Sequence, residues 1–503
     1  MVERPNITHD SRQSQAWCGI CVSRTPRLPV AFALGIGTLA LLVLSLGCQN
    51  YERAPLEPGV HRSAWHGRSL GGESLHGFVA RLSAACDSSA FAGVTVDSFD
   101  ATDGLSLAEA QCVALLFSPA LRLARASAGI AVASSENAGL WPDPSFSVSA
   151  LRIDESIPDP WLITPTLSFR VPLTGRLAGE SAVAREELAV AQARVREQEW
   201  GVWMDVRRTW ARWSAACFTL EEAERYLALL DPLTGTAANL ARTGEITDSE
   251  ASLFFVERGQ RANQLYRLRA AVEVEEQRLR SQLGLAPEAP VSFLPDLSSL
   301  GQHGLEDGAS PESLASRNLT LVRREAAYRA SEERLRLEIR KQLPDLRVGP
   351  SFEEDAGRFS FGLLLGSFPI PIWSANRKGI AEARAQRELA RVAFETEYEW
   401  LVGRWQAARV LARGMRAQRE GMEAELVPAV ERQLAQALAL MELGEVRSLV
   451  VLQTLSRALE TRLEWIDTRL GEALAQADVD TLVGPPADWS RVVREAQAES
   501  EEQ

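Results

Sequence analysis

Lysine, histidine, methionine and tyrosine are all scarce in this chain, and several of these scarcities remove a class of function. Of 54 basic residues only Lys341 and Lys378 are not arginine, a bias of composition rather than a phosphate-recognition device. The formal charge is −13 and no basic stripe with interleaved aromatics occurs, which argues against nucleic acid as a partner. The five histidines include no pair four residues apart, so the helical zinc pair is missing. The five methionines form no cluster that would offer a soft metal ion its ligands. No phosphate-binding glycine loop and no Ser, His and Asp set stands out. An enzyme is therefore not expected, nor any catalytic, cofactor-binding or metal-binding residue.

The six cysteines are equally uninformative as a framework. Cys18 and Cys21 form a CxxC with no partner pair. Cys86, Cys112 and Cys217 allow at most one disulfide, and Cys112 and Cys217 fall in helical patterns where small buried thiols are ordinary.

Alanine, leucine, arginine and glutamate dominate, and these are helix formers. Near the start, Arg24 and Arg27 precede an apolar run that ends LSLGC, Leu44 to Cys48. This resembles the lipobox of bacterial lipoprotein precursors, so residues 1–47 read as a signal peptide and Cys48 as the lipidated residue. Gln49, rather than Asp, after the cysteine directs such precursors to the outer membrane. The competing reading is an uncleaved anchor, since about 19 apolar residues span a bilayer. Residues 48–104 read as a lipidated N-terminal linker.

An internal repeat follows, with copies at 105–290 and 311–484, a connecting segment at 291–310 and a tail at 485–503. GLWPDPSFSV (139–148) aligns with KQLPDLRVGPSF (341–352), and VPLTGRLAGESAVAREELA (171–189) with IPIWSANRKGIAEARAQRELA (370–390). TGEI (243–246) aligns with LGEV (443–446). Each copy reads helix, strand, strand, long helix, turn, long helix. Strand alternation shows in Phe146 and Val148, in Leu167, Phe169 and Val171, in Leu346, Val348 and Phe352, and in Phe359, Phe361, Leu363 and Leu365. Pro142, Pro144, Pro172, Pro344 and Pro371 mark the helix-to-strand junctions, because proline removes a donor and pushes its predecessor out of the helical region. Trp141, Trp161 and Trp373 flank the strands, as an interfacial girdle or as packing where helix meets strand.

Coiled-coil spacing marks the long helices. The first seam is Val195, Val202, Val206, Trp210, Trp213, Cys217 and Leu220; the second is Leu401, Trp405, Ala408, Ala412, Met415, Met422 and Leu426. Helices of about 55 to 65 residues would extend roughly 80 to 100 Å, with Pro232 and Pro428 as bends or interruptions. Four strands cannot close a membrane barrel alone, so strands that span a membrane must be completed by further copies.

These motifs together resemble the TolC family of outer membrane efflux factors, nearest the lipoprotein members that serve resistance-nodulation-division pumps and their metal-efflux branch. The resemblance implies a mostly α chain with a small membrane β part: long coiled-coil hairpins plus four strands, completed in a homotrimer to a twelve-stranded barrel and helical tunnel. It also implies an exit duct, lipid-anchored in the cell outer membrane and extending into the periplasm, working with a periplasmic adaptor and an inner-membrane pump. The tips that would dock the adaptor are Thr243, Gly244, Glu245 and Ile246 in the first copy and Leu443, Gly444, Glu445 and Val446 in the second. Arg242, Asp248, Glu250, Glu442 and Arg447 are the candidate gate, against the plainer reading of a solvated charged face. Alternatives of other kinds are a structural periplasmic coiled-coil lipoprotein without channel activity and the exit duct of a type I protein secretion system. The transported substrate is not legible.

Overall fold

The computed structural model describes residues 51–85, 103–152, 161–298, 310–355, 358–365, 371–442 and 448–486, together with Phe99, Asp154, Leu300, Trp489 and residues 491–493. Residues Met1–His61 and Arg62–Gln503 form two compact units. The first, described from Tyr51, is irregular as far as Glu57. Helix α1 (Pro58–His66) has no buried residue.

Part of the stretch read as a linker is helical. Helix α2 (Glu73–Ala85) buries Leu75, Phe78, Val79 and Leu82 completely. Their spacing of 3, 1 and 3 is one face of a helix, and it is short enough to be lost among the surrounding Gly and Ser. Helix α3 (Leu107–Phe117) starts at a reciprocal cap in which Glu109 N–H reaches Ser106 Oγ and Ser106 N–H reaches Glu109 Oε2. Ser118 and Pro119 separate it from α4 (Pro119–Glu136).

Strands β1 (Ser145–Arg152) and β2 (Trp161–Val171) form a hairpin. Helix α5 (Arg176–Thr243) then runs 68 residues without a break, about 100 Å at 1.5 Å per residue. It turns back into α6 (Asp248–Gln282). The second half repeats the order with α7 (Pro311–Arg317), α8 (Leu319–Arg340), β3 (Leu346–Asp355), β4 (Arg358–Leu365), α9 (Arg377–Gly421), a π-helical turn (Met422–Leu426), α10 (Val427–Glu442) and α11 (Ser448–Val483). The sheet is antiparallel in the order β1-β2-β3-β4.

Among the described residues, three cores hold the helices. The largest gathers α2, α3 and the middle of α5, where Trp200, Trp203, Val206, Trp210 and Trp213 are buried. Trp489 stands edge-on to Trp200 and Trp203, with ring centroids 5.0 and 5.1 Å away. The segment after residue 484, read as a tail, thus closes this core with Trp489, Val492 and Val493. A second core joins α5, α6 and α11 through Tyr226, Leu230, Phe254 and Leu455, and a third joins α7, α8, α9 and α11 through Leu321, Leu401, Trp405 and Val479.

The first seam is right in its middle but too narrow, since Trp200, Trp203 and Met204 are buried beside it. The second departs at its end: Met422 is buried, Leu426 is exposed, and Val427 and Val430 take up the buried face instead. The π turn is the reason, because Val427 N–H bonds to Met422 O, five residues back, and one extra residue enters the turn. Pro428 follows at once, and a wider turn accommodates its ring and missing donor. Pro232, by contrast, sits inside the unbroken α5.

Candidate functional site

The sheet separates its side chains by chemistry. Cross-strand pairs Phe146 with Leu167, Ala150 with Ile163 and Phe352 with Phe361 lie on one face. Ser145 with Ser168, Ser147 with Thr166, and Thr166 with Ser351 lie on the other. Ser145 Oγ and Ser168 Oγ are 2.7 Å apart. Small residues continue the hydroxyl face on β4, where Gly362 lies opposite Ser351. The apolar face is uncovered: Phe146 is 65% exposed, Phe361 83% and Leu363 70%. Among the described residues, strands β1 and β4 each have one edge without a neighbour.

β2 is longer than its alternation suggests. Pro165 lies within it, opposite Val148, and the strand begins at Trp161. Proline argues against an inner strand, yet here it removes only one donor from the ladder. Pro350 does the same in β3.

At the junctions, α4 has already ended at Glu136 when the chain reaches Pro142 and Pro144. The turn is made at Gly139, whose φ is +73°, pressed against the Leu177 carbonyl and Ser181 of α5. Pro144 then abuts β1, Pro172 follows β2, Pro344 stands two residues before β3, and Pro371 lies between β4 and α9. Side chains missed in the sequence bind the two halves together here. Arg176 Nη2 meets Asp345 Oδ2 at 3.0 Å, and Arg340 Nη1 donates to Gly175 O at 3.1 Å. Asn376, with φ +52°, donates to the Glu338 backbone oxygen at 2.8 Å and to its Oε2 at 2.7 Å. Burial alone would push the Glu338 carboxyl up, but hydrogen bonds from Lys341 and Asn376 outweigh it and hold the group below its ordinary value. Asp345 and Asn376 belong to the PDL and SAN stretches of the repeat, which is the signal that was available. Trp141, Trp161 and Trp373 are exposed around these junctions, and Arg152 lies over the Trp161 ring at 5.9 Å.

The first tip is a tight helix reversal. Gly244 adopts φ +82°, its N–H bonds to Ala241 O at 3.1 Å, and Glu245 N–H returns to Leu240 O at 2.9 Å. Thr243 Oγ1 donates to Leu240 O at 3.0 Å and to Glu245 Oε1 at 3.2 Å. Thr247 then opens α6 with a capping box: Glu250 N–H reaches Thr247 Oγ1 at 3.2 Å and Thr247 N–H reaches Glu250 Oε2 at 2.9 Å. Thr243, Gly244 and Glu245 are exposed and Ile246 is half-buried. No atom stands within 4 Å of where a Gly244 side chain would begin, so glycine is required there by backbone conformation alone.

Three of the candidate gate residues also have local duties. Glu250 serves the cap, Asp248 lies in the first turn of α6 where the helix N-terminus favours an acid, and Arg242 hydrogen-bonds Asn239. Glu442 ends α10. Leu443, Gly444, Glu445, Val446 and Arg447 lie outside the described residues, as do the leader, Cys48 and Cys86.

Solved structures similar to this chain include outer membrane channels. CusC, described for the changes accompanying folding and transmembrane channel formation, aligns at 17% identity with a TM-score of 0.63, over 76% of this chain and 92% of its own. The outer-membrane channel OprN aligns at 14% identity and a TM-score of 0.64, over 88% and 98%. The CmeC outer membrane channel of Campylobacter jejuni aligns at 13% identity and 0.61, over 90% and 94%. At such identities the likeness shows a shared fold. No protein-family model and no curated protein matches the sequence significantly.

Proposed function

We propose that this chain is one subunit of a passive exit duct of a tripartite efflux system, through which substrates cross the periplasm and outer membrane. The sheet carries the proposal: one face apolar and exposed, one face of hydroxyls with Arg170, Arg347 and Glu353 among them, and, among the described residues, two free edges. Unpaired edges in hydrocarbon leave backbone groups unsatisfied at several kcal/mol each, so the sheet needs other copies to close it. Three copies supply twelve strands, a number membrane barrels use. The shared fold with outer membrane channels supports the same reading.

In this reading the apolar face meets lipid and the hydroxyl face lines water. Lipid on Cys48 anchors each copy, and the long hairpins reach through the periplasm. The exposed tip at Gly244, and its counterpart at Gly444, dock a periplasmic adaptor that joins the duct to an inner-membrane resistance-nodulation-division pump. The duct itself supplies no energy.

Purified protein is expected to run as a heat-resistant trimer in detergent and to give unitary conductance steps in planar bilayers. A monomer that never conducts would sink the proposal. Docking is tested separately by the double variant Gly244→Trp, Gly444→Trp, expected to assemble normally and abolish efflux. Full efflux from that variant would refute the docking role.

A further inference from the structure

Arg170 and Arg347 stand directly opposite each other at the junction end of the sheet, Arg170 next to last in β2 and Arg347 second in β3. Partners across a ladder have Cβ atoms about 5 Å apart, and two like charges placed so repel each other. Elsewhere the chain answers its arginines with carboxylates: Arg225 has Glu221 and Glu222, and Arg391 has Glu388 and Glu395. Among the described residues, neither Arg170 nor Arg347 has an ion pair or a hydrogen bond, and both are exposed. Acids on the flanking segments do not neutralise them. Asp345 is taken by Arg176 at 3.0 Å, Asp143 ahead of β1 pairs with neither, and Glu353 lies further along β3, about 20 Å away.

The surroundings of the pair select its occupant. On β3 the polar face passes from Arg347 to Ser351 with only Gly349 between them, and a Cβ at Gly349 would stand 1.8 Å from Leu167 O and 2.8 Å from Ser168 Cα. No side chain fits beside the two guanidinium groups at that place. Next to this gap, Ser168 Oγ and Ser145 Oγ, 2.7 Å apart, add hydroxyl donors on the same face. Each guanidinium presents a planar fork of N–H donors that matches two oxygens of a sulfate, phosphate or carboxylate. A cation is repelled by the pair, and a neutral solute leaves the repulsion standing. An oxyanion with two charges cancels it.

We infer that Arg170 and Arg347 form a binding site for a small dianionic oxyanion of the sulfate or phosphate type. One such ligand bridges β2 and β3, and through them the two halves of the repeat. The pair lies within one chain, so the site stands whether or not the chain forms a duct. Its multiplication into a ring rests on that reading: three copies would place six guanidinium groups around the lumen where helices meet barrel, and anion-conducting pores use rings of Arg or Lys.

Crystals of the full-length protein soaked in sodium selenate, a sulfate analogue with an anomalous signal, provide the test. A peak between the two guanidinium groups is expected in the wild type and should vanish in Arg347→Gln. In a phosphate-free maltoside detergent at constant ionic strength, replacing chloride by sulfate should raise the melting temperature of the wild type several degrees more than that of Arg347→Gln. The paired comparison cancels the general stabilising effect of sulfate. Arg170→Gln, on the other strand, should behave alike and takes its place if Arg347→Gln does not fold. A lipid phosphate carries the same chemistry: phosphorus that co-purifies with the wild type and not with the variant would assign the site to a headgroup, and equal phosphorus in both to a dissolved anion. A soaked wild type with no oxyanion at the pair, a peak that survives in both variants, or an equal sulfate response in wild type and variant would each overturn the inference. Neither readout requires conduction, so sulfate binding by a chain that never conducts would sink the duct and leave this site intact.

Discussion

A methyl group added to Gly139 would stand 2.1 Å from Ser181 Oγ and 2.5 Å from the Leu177 carbonyl oxygen, in a backbone whose φ is already +73°. Gly175 shares the positive φ, at +67°, but has nothing within 4 Å. Gly175→Ala should therefore lose only the left-handed penalty, about 1–2 kcal/mol. Gly139→Ala should lose that and more, because a neighbouring helix must move. Thermal melts of the two variants check the order, and equal losses would mean that α4 and α5 part without cost. Cys217 gives a second residue-scale prediction. Burial, reinforced by Glu276, pushes its thiol up from 9.0 to about 11. The folded chain then keeps a proton that the unfolded chain releases, so the thiol's contribution is whole below pH 9 and is lost as pH rises toward 11. Melting temperatures of wild type should fall toward, or below, those of Cys217→Ala across that window. A constant difference between them would contradict the desolvated thiol. Single residues were the least legible level in the sequence. Gly139 sat beside two prolines that took the credit for a turn it makes, and the partnership of Arg176 with Asp345 joins positions no local pattern connects.

At the level of elements, the π turn converts one inserted residue into a change of face. Deleting Ala424 should return Met422–Val427 to ordinary helical spacing and keep Val427 and Val430 buried. Helix content by circular dichroism and the melting point should stay near wild type. Deleting Arg208 from α5 should instead rotate everything beyond it by about 100°, expose part of the Trp210 and Trp213 face, and unfold the chain. Similar behaviour of the two deletions would remove the π turn's special status. Elements with a strong period were readable: the strand faces, the reversal at Gly244 and the middle of each seam. Those that failed did so for physical reasons. Leu426 was placed on a seam that a π turn had moved by one residue, β2 was cut short at a proline that costs a single donor, and α2 showed too few turns to stand out.

At the scale of the whole molecule, the free edges of β1 and β4 make a claim on a second copy. Cysteines introduced at Ser145, Ser147 or Ser149, each combined with Ser360→Cys, should give at least one pair that oxidises into covalent oligomers ending at a trimer in non-reducing gels. Only monomers from every pair would mean that the edges do not meet. The number of copies was never legible in one chain, because closure is a property of partners; what could be read was that four strands are too few. The hydroxyl face has one last consequence. A serine or threonine hydroxyl rotates to give or to take a hydrogen bond, so a wall of them has no fixed polarity. An anion and a cation crossing it would each find the same hydroxyls turned to suit them. Whatever preference for charge the proposed duct shows must then arise from groups that do not change sign: Arg170 and Arg347, paired across β2 and β3 on this same face, Glu353 opposite Ser360, and the carboxylates and guanidinium groups of the helices.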